Sequence, residues 1–411
     1  MAAFHKMSTW YLVFGLACTF FIIIPGVGAV SVRTRWRRFR RAVGSAALAP
    51  TVTYTALSHL RRAGAGAAGG AGRYRFFGRL EAIEDDDVIW LNDGAISVAA
   101  DVARTTAYLL PAAGSRQQPS RPFSEETPDR VPWSRLTTLP ERTPVFVAGP
   151  LRLEGDRPVF REEAAGDELL LILYDGPDEE VLQHSVWTGR QRNEYWNLLT
   201  PASLAVGSLA LLLAAYILLR IPADRGAAIL AVSCALIPIL PLLPPGFISF
   251  PLYRRMWRRG RYLRAERDIL RLPLRHEFDA RGEALLPDGE RYVMRTVDGD
   301  AAGELVRAGA QRLEVSVAEA EEGREGEGER YFVFGTPDVA QPRAGASDAA
   351  GLRRPNDPMA GLLVIPGEPS RLARRSERAA QLFEISAVAS LLAGTGINFY
   401  IALLLVSRVM F

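Results

Sequence analysis

Four long apolar stretches alternate with polar regions along this chain of 411 residues. The stretches cover residues 9–30, 198–219, 227–250 and 385–407. None has an acidic or basic side chain in its interior, and each reaches the roughly 20 residues that a helix needs to cross the hydrocarbon core of a bilayer. The pattern predicts four transmembrane helices. Prolines between residues 238 and 245 predict that the third helix ends in a kink or an irregular turn, because proline lacks a backbone N–H.

Dense arginine clusters border three of the four stretches. They lie at residues 33–41, 254–267 and 371–378. With four crossings all three clusters fall on the same side, and basic residues near span ends favour the cytoplasmic side. This arrangement predicts both termini outside and both polar regions in the cytoplasm. A signal peptide is the alternative for the first stretch, but the arginines follow its apolar core instead of preceding it.

The two polar regions cover residues 31–197 and 251–384, and each is long enough for a domain with its own core. In the first region, a basic juxtamembrane segment precedes short alternating strands, an Asn92-Asp93-Gly94 turn signal and an apolar strand that ends at Tyr174. We therefore predict an α+β membrane protein with four transmembrane helices and two β-rich cytoplasmic domains.

The second polar region repeats the end of the first. Residues 331–335 match residues 145–149, an apolar strand follows in both regions, and a proline-containing helix start then leads into the next apolar stretch. The shared order indicates a diverged duplication. Runs rich in Glu, Gly, Arg and Pro at 319–330 and 340–358 predict disorder within the second copy.

Composition excludes several classes of chemistry. Lys6 is the single lysine, so P-loop nucleotide binding, kinase chemistry and Schiff-base catalysis lack the residue they need. Cys18 and Cys234 lie in apolar stretches and the four histidines are scattered, which argues against zinc, iron–sulfur and thiol sites. We predict no catalytic residue, no cofactor and no metal. The abundance of Ala, Gly, Pro and Arg is typical of a GC-rich bacterial genome, which favours a bacterial inner membrane.

Three polar motifs invite a catalytic interpretation. The acidic run 84–87 offers carboxylates of the kind that bind Mg²⁺ or Ca²⁺, but its place between two strands favours a solvated turn. The acids between residues 162 and 168 flank a loop without partner groups. His184-Ser185 lacks the glycines of a nucleophile elbow, and adjacent helical residues point about 100° apart. We therefore expect a surface role for this pair.

Arginines and tryptophans are interleaved beside the first and third stretches. The residues predicted to lie at the membrane interface are Arg35, Trp36, Arg37, Arg38, Arg254, Arg255, Trp257, Arg258 and Arg259. Such segments can bind nucleic acid through phosphates and stacking. Anionic lipid headgroups are the nearest phosphates here, and each nearby cation contributes on the order of 1 kcal/mol. We predict contact with the lipid bilayer and no nucleic-acid partner.

Residues 74–220 resemble the membrane-bracketed β domain of GIDE-type proteins, a family of mitochondrial ubiquitin ligases with bacterial relatives that lack the ligase part. The resemblance rests on the Val-Phe-Val-Ala-Gly strand at 145–149, the hairpin that follows it and the helix that leads into the second apolar stretch. It implies a β-barrel-like interaction domain. The Cys and His ligands of a RING are missing after the last stretch, so the resemblance implies no ligase activity.

The leading functional hypothesis is a non-enzymatic, membrane-anchored scaffold or binding module with a protein partner. Exposed strand edges or the loop at 112–130 would form its contact surface, by strand addition or loop recognition. A transporter or channel component is the alternative, although no ionisable residue lies inside a stretch, where transport pathways usually place one. A membrane enzyme without a recognisable motif is the third possibility.

Overall fold

The computed structural model describes residues 2–64, 72–85, 87–112, 126–136, 138–162, 168–316, 330–338 and 351–410. The chain divides into two compact units. The helical unit consists of Met1–Arg38, Arg192–Tyr262 and Arg378–Phe411, and the β unit consists of Phe39–Gln191 and Leu263–Glu377. Within the β unit, Phe39–Gln191 is called the first half and Leu263–Glu377 the second half.

Three helices are long and apolar enough to cross a membrane among the residues that the structure describes. They cover Ser8–Ala46, Leu199–Leu219 and Pro369–Val409. The first consists of α1 (Ala2–Cys18), a five-residue π-helical turn and α2 (Ile24–Ala46); the others are α5 (Leu199–Leu219) and α9 (Pro369–Met410). Together with the sheets described below, these helices confirm the α+β character of the chain and are compatible with a membrane location.

The third predicted span is not one helix. α6 (Arg225–Ala235) stops well before α7 (Gly246–Leu270) begins, and residues 236–245 between them form turns and a short 3₁₀ segment. The prediction of a single helix over 227–250 is therefore wrong, whereas the irregular segment predicted from the prolines is present. The prolines of this segment remove backbone N–H donors and their rings clash with the preceding turn, so a continuous helix cannot form.

Small residues bring α5 close to the helix formed by α1 and α2. Ser203 donates a hydrogen bond to the backbone carbonyl of Phe20, and a Cβ at Gly207 would lie 2.5 Å from the Cβ of Phe20. α6 packs into the same apolar core through buried alanines. Close approach of backbones through small residues is the usual way in which helices associate within a membrane.

The first half of the β unit contains an eight-stranded sheet. Its strands are β1 (Gly72–Glu84), β2 (Val88–Asn92), β3 (Ser97–Asp101), β4 (Thr106–Leu109), β5 (Asp129–Pro132), β6 (Pro144–Glu154), β7 (Arg157–Phe160) and β8 (Leu170–Leu173). β1, β2, β3, β7 and β6 pair in a ring that closes between β6 and β1, and β3 and β7 run parallel. This five-stranded barrel is similar in architecture to the OB-fold. Phe76, Leu91 and Phe160 are among the apolar side chains of its core.

The sheet continues beyond the barrel. β8, β4 and β5 follow β6 in that order, so β5 stands at the end of the row. The first half also contains α3 (Tyr54–Gly64) before the barrel and α4 (Val181–Thr188) after β8. The predicted β-rich region is thus a barrel with a three-stranded extension.

The second half contains a smaller sheet of six strands. They are β9 (Glu283–Leu285), β10 (Arg291–Val297), β11 (Gln311–Arg312), β12 (Tyr331–Pro337), β13 (Leu352–Arg353) and β14 (Leu363–Pro366), and α8 (Gly299–Arg307) lies between β10 and β11. Most of the two segments predicted to be disordered lies outside the described residues. Residues 351–358 are described, and for them the prediction is wrong, because β13 pairs with β12 and Asp357 is buried.

Four strands have the same order and the same directions in both halves. β1, β6, β8 and β4 are neighbours in the first half, and β10, β12, β14 and β11 are neighbours in the second. In each row the first two pairs are antiparallel and the last pair is parallel. This shared core supports the proposal of an internal duplication.

A glycine makes room for a leucine side chain at the equivalent position of each core. A Cβ at Gly149 on β6 would lie 2.8 Å from Cδ1 of Leu169, and a Cβ at Gly335 on β12 would lie 2.6 Å from Cδ1 of Leu362. Each leucine immediately precedes the apolar strand that pairs with the glycine's strand. The segments 145–149 and 331–335 both end in glycine because a leucine side chain just before the neighbouring strand occupies the space that a Cβ would need.

Candidate functional site

The residues predicted to lie at the membrane interface belong to α2 and α7. The arginines among them are exposed, which leaves their guanidinium groups accessible to anionic headgroups. Trp36 is 7% exposed, so its indole ring packs inside the protein instead of facing solvent or lipid. Trp257 is partly buried.

Both acidic motifs are exposed where the structure describes them. Glu84 ends β1, Asp85 has a φ of 50°, and the N–H of Asp87 donates to the carbonyl of Glu84 at 3.2 Å, which makes the tight turn that the sequence predicts. Glu162 and Glu168 are exposed. Asp86, Glu163 and Asp167 lie outside the described residues.

His184 and Ser185 are buried, and the surface role expected for them is wrong. They are 3% and 0% exposed on α4, whose eight residues are all buried. Burial lowers the pKa of His184 to about 4, so the imidazole is neutral at pH 7. The burial of this helix involves the second half of the β unit, since Gln183 on α4 contacts Gln311. Such a distant contact leaves no trace in local sequence periodicity.

The best candidate site is the junction, the region where the two halves of the β unit meet. Arg75 on β1 and Asp357 of the second half form an ion pair there, and their side chains are 0% and 1% exposed. Arg75 also donates to the carbonyl of Ala47 at 2.7 Å and to Oγ1 of Thr51 at 3.2 Å. Burial lowers the pKa of Arg75, and the Asp357 carboxylate opposes this shift. A guanidinium remains charged at ordinary pH, so the junction encloses a complete, paired charge.

Further polar contacts join or support the two halves. Gln183 and Gln311 exchange both amide hydrogen bonds, each 2.9 Å from Nε2 to Oε1. Arg354 pairs with Glu179 across the junction at 3.1 Å. Tyr292 on β10 donates its hydroxyl hydrogen to a backbone carbonyl at 2.9 Å, and burial raises its pKa. The glutamine pair and the Arg354–Glu179 ion pair connect the two halves, and the Tyr292 bond lies within the second half.

A small cavity lies among these contacts. Both halves line it, with Glu179, Gln183, Arg275, His276 and Tyr292 as its main polar residues. The cavity encloses about 40 Å³. That volume admits a few water molecules and is far below the roughly 300–1,000 Å³ of a typical cofactor site.

A network of ion pairs surrounds Asp268 near the end of α7. Arg190 and Arg267 each donate to its carboxylate at 2.6 Å, and Arg267 also pairs with Glu377 on α9 at 2.8 Å. Burial on its own would raise the pKa of Asp268, but the two arginines outweigh burial and the pKa is lowered. Through this network Arg190, which follows α4, is linked to the last turns of α7 and, through Arg267, to the start of α9.

The chemistry available at these sites is limited by this pairing. In the part of the chain that the structure describes, no group of three or more His, Cys, Asp and Glu side chains is placed to hold a metal ion. The carboxylates of Asp357, Glu179 and Asp268 are each engaged by arginines. Among the described residues, these ion pairs and the paired amides of Gln183 and Gln311 hold the polar groups of the junction in a fixed arrangement.

The helical unit has a second polar feature at the break between α6 and α7. Asn398 on α9 is 3% exposed, and its Nδ2 donates to the carbonyls of Leu240 at 2.7 Å and Leu243 at 2.8 Å. Pro244 has no N–H to offer the Leu240 carbonyl. A Cβ at Gly246 would lie 2.6 Å from Nδ2 of Asn398, so the contact is tightly packed. Each of these carbonyls also accepts a backbone N–H, from Leu243 and Phe247 respectively, so Asn398 adds a second donor to each.

Sequence reasoning missed Arg75, Asp357 and the glutamine pair. Arg75 directly precedes two phenylalanines, but β1 also contains Arg73 and Arg79, so the sequence does not single out Arg75 as the buried arginine. The partner lies 282 residues away, beyond the central segment of the helical unit in the sequence. No local sequence pattern could identify Asp357 as the partner of Arg75.

No known family model, curated protein or solved structure matches this chain. The functional interpretation therefore depends on the geometry alone.

Proposed function

We propose that this protein is a non-enzymatic membrane scaffold whose β unit presents a binding surface to a protein partner. The observation that carries the proposal is the mutual pairing of polar groups at the junction. Arg75 engages Asp357, Gln183 engages Gln311, and about 40 Å³ of cavity remains. Side chains that satisfy one another stabilise a fixed arrangement and leave little with which to transform a substrate.

The charge of the barrel region indicates the kind of partner. Residues 72–175 contain 12 arginines and no lysine against 18 acidic residues, a formal net charge of −6. Like charges repel across an interface, so this region disfavours nucleic acid and anionic lipid. A protein partner with a neutral or basic surface fits it better, in line with the interaction domain that the GIDE-type resemblance implies.

The edge of β5 is the proposed contact surface. Among the described strands β5 pairs only with β4, and Asp129 and Arg130 on it are exposed. A strand with an unpaired edge can accept a further strand through backbone hydrogen bonds. Pro132 at its end limits this pairing to a short segment, which favours a specific partner strand over open-ended association.

A photo-crosslinking residue at Arg130 of the full chain in membranes tests this proposal. The matched control carries the same residue at Arg281, an exposed turn position in the second half. We expect one defined protein adduct from position 130 and none from position 281. Equal adducts from both positions, or none from either, would contradict a partner at the β5 edge.

We further propose four membrane crossings, with both termini outside a bacterial inner membrane and the β unit in the cytoplasm. A compact body lies on one side of a bilayer. Because the chain leaves the β unit after Gln191 and returns at Leu263, residues 192–262 would cross an even number of times. α5 supplies one crossing, and the interrupted stretch through α6 and the start of α7 would supply the other. The exposed arginines of α2 and α7 would then contact anionic headgroups on the cytoplasmic side.

Reporter fusions after Phe411 test this orientation. A fluorescent protein that folds only in the cytoplasm should stay dark there, and an export-dependent phosphatase should be active. The control places the same reporters in the exposed turn at Asp93 and Gly94 of the β unit, where the outcomes should reverse. A fluorescent carboxyl-terminal fusion would contradict the proposed topology.

A transporter or channel component is the second candidate, because the helical unit contains an interrupted helix with a polar side chain beside it. Unwound backbone next to an asparagine is a feature of some transport sites. Here Nδ2 of Asn398 already engages the carbonyls of Leu240 and Leu243, which favours a structural role. Solute flux in vesicles that contain the purified protein, compared between wild type and Asn398→Leu, separates the candidates. Flux that depends on Asn398 would favour transport.

A further inference from the structure

We propose that the cavity at the junction binds a small phosphate-bearing anion through Arg275. This site is independent of the partner surface at β5 and goes beyond the scaffold function. The ligand chemistry is that of a single phosphate group, whether it belongs to free phosphate or to a lipid headgroup.

Arg275 is a solvent-exposed cation at the wall of the cavity. It ends a 3₁₀ turn, Pro273–Arg275, and forms no ion pair with any residue that the structure describes. Asp268 is the acid whose charge acts on it, but that carboxylate is held by Arg190 and Arg267 at 2.6 Å each. Partial desolvation lowers the pKa of Arg275, and Asp268 opposes this shift. An anion in the cavity would take the place of water beside this guanidinium.

The remaining charges of the cavity wall do not compete for that anion. Glu179 is paired with Arg354 at 3.1 Å. Burial lowers the pKa of His276, against the nearby Asp357 and together with Arg75, so its imidazole is neutral at pH 7. The wall therefore has an excess of one positive charge, and it belongs to Arg275.

The position of the guanidinium depends on a glycine. A Cβ at Gly44 on α2 would lie 1.6 Å from Nη1 of Arg275 and 2.6 Å from Cζ. The guanidinium therefore lies directly against the backbone of α2, which holds it beside the cavity. Gln183 and Gln311 line the same wall, and each amide has a second N–H besides the one that it donates to the other glutamine.

The size of the cavity selects the ligand. A space of about 40 Å³ suits a group of a few heavy atoms, and a nucleotide or an organic cofactor would need several times that volume. Arginine pairs with phosphate through two parallel N–H donors, so one guanidinium is sufficient to orient the group.

Calorimetric titration of the full chain with inorganic phosphate, in nanodiscs of phosphatidylcholine, tests the proposal. The first variant, Arg275→Gln, removes the charge. The second, Gly44→Ala, keeps every charge and displaces the guanidinium; alanine is the better helix former, so this variant should fold. The control, Arg281→Gln, removes one charge from an exposed turn outside the cavity. The melting temperature of each variant shows whether it is folded.

We expect one phosphate per chain, with affinity about tenfold weaker or more in both Arg275→Gln and Gly44→Ala and unchanged in Arg281→Gln, as for the loss of a charge-assisted hydrogen bond. No saturable binding up to about 10 mM, or equal affinity in all variants, would overturn the proposal. Nanodiscs that contain phosphatidylglycerol identify the source. Loss of phosphate binding there assigns the site to a lipid headgroup, and retained binding assigns it to a soluble anion; both results support the site.

Discussion

The two halves of the β unit share a four-stranded core and differ in how that core is completed. In the first half, β2, β3 and β7 connect β1 to β6 and close a barrel. In the second half α8 stands between β10 and β11 along the chain, and the sheet stays open among the described residues. Its outermost strands, β9 and β11, contain only three and two residues. Edges this short offer few unpaired backbone groups, which protects an open sheet from unwanted pairing.

Strands of both shared cores contribute to the junction, together with Asp357 and Gln183, which lie outside those strands. Arg75 lies on β1 of the shared core, and Tyr292 and Gln311 lie on β10 and β11 of the other copy. The added barrel strands of the first half take no part in the ion pair or the glutamine pair. The comparison therefore indicates a division of tasks, in which the shared cores hold the two copies together and the added strands of the first copy provide new surface.

Removing one charge of the buried ion pair is the strongest way to break this arrangement. Arg75→Met leaves Asp357 buried without its partner, and Asp357→Leu does the same to Arg75. Breaking a buried pair in this way costs about 3–5 kcal/mol, so the melting temperature of the full chain should fall markedly. Limited proteolysis should then cut both halves of the β unit, because each loses the support of the other.

Two controls make this prediction specific. The double variant Arg75→Met/Asp357→Leu leaves no unpaired charge and should recover much of the lost stability. Arg161→Met removes solvent-accessible ion pairs with Asp101 and Glu154, and each should contribute less than about 1 kcal/mol. A wild-type melting temperature in either single variant would show that the two halves do not depend on this pair.

Acid should weaken the first half through His184. Its pKa is lowered to about 4 by burial, against an ordinary value of about 6.5. The unfolded chain therefore binds a proton on His184 more readily than the folded chain does. The contribution of His184 to the free energy of unfolding is fully present above about pH 6.5 and is lost as the pH falls toward 4. The total loss is about 3 kcal/mol.

Melting temperatures between about pH 7.5 and 5 measure this effect, since the histidine of the unfolded chain titrates in that window. His184→Gln should flatten the decline, whereas His59→Gln, on an exposed position of α3, should keep the wild-type decline. If His184→Gln declines as steeply as the wild type, other groups control the acid sensitivity of the β unit.

The sequence predicts local features of this fold well and distant ones poorly. The apolar stretches, the turn at Asp93 and the match between residues 145–149 and 331–335 are local patterns, and the structure has helices, a turn and equivalent strands there. The helix predicted over 227–250 stops at Ala235, and the prolines that predicted an irregular end lie in the break before α7. Burial of His184 depends on contacts between residues more than 100 positions apart, which no window of sequence contains.

Alanine at the two equivalent glycines tests the likeness of the cores directly. Gly149→Ala and Gly335→Ala should each lower the free energy of unfolding, because the added Cβ meets a leucine methyl group; such overpacking costs about 1–3 kcal/mol. The effect should be larger at Gly335, where the Cβ would also lie 3.1 Å from the backbone oxygen of Arg353. Gly303→Ala on α8, with no described atom within 4 Å of its Cβ, is the control and should be neutral or stabilising. A neutral result at both core glycines would contradict the shared packing.

Substitutions at the Gln183–Gln311 pair should change the free energy of unfolding least, and they measure most directly the coupling energy between the two halves. Gln183→Leu or Gln311→Leu leaves one amide without its partner, but Gln311 is partly exposed and water can bond to what remains, so each single change should cost about 1 kcal/mol. The double variant removes both amides and should cost less than the sum of the single changes, because no unsatisfied group remains. Melting temperatures of the four chains give this coupling energy. If the cost of the double variant equals the sum of the two single costs, the two amides act independently. The Arg75–Asp357 ion pair would then dominate the polar contact between the two copies.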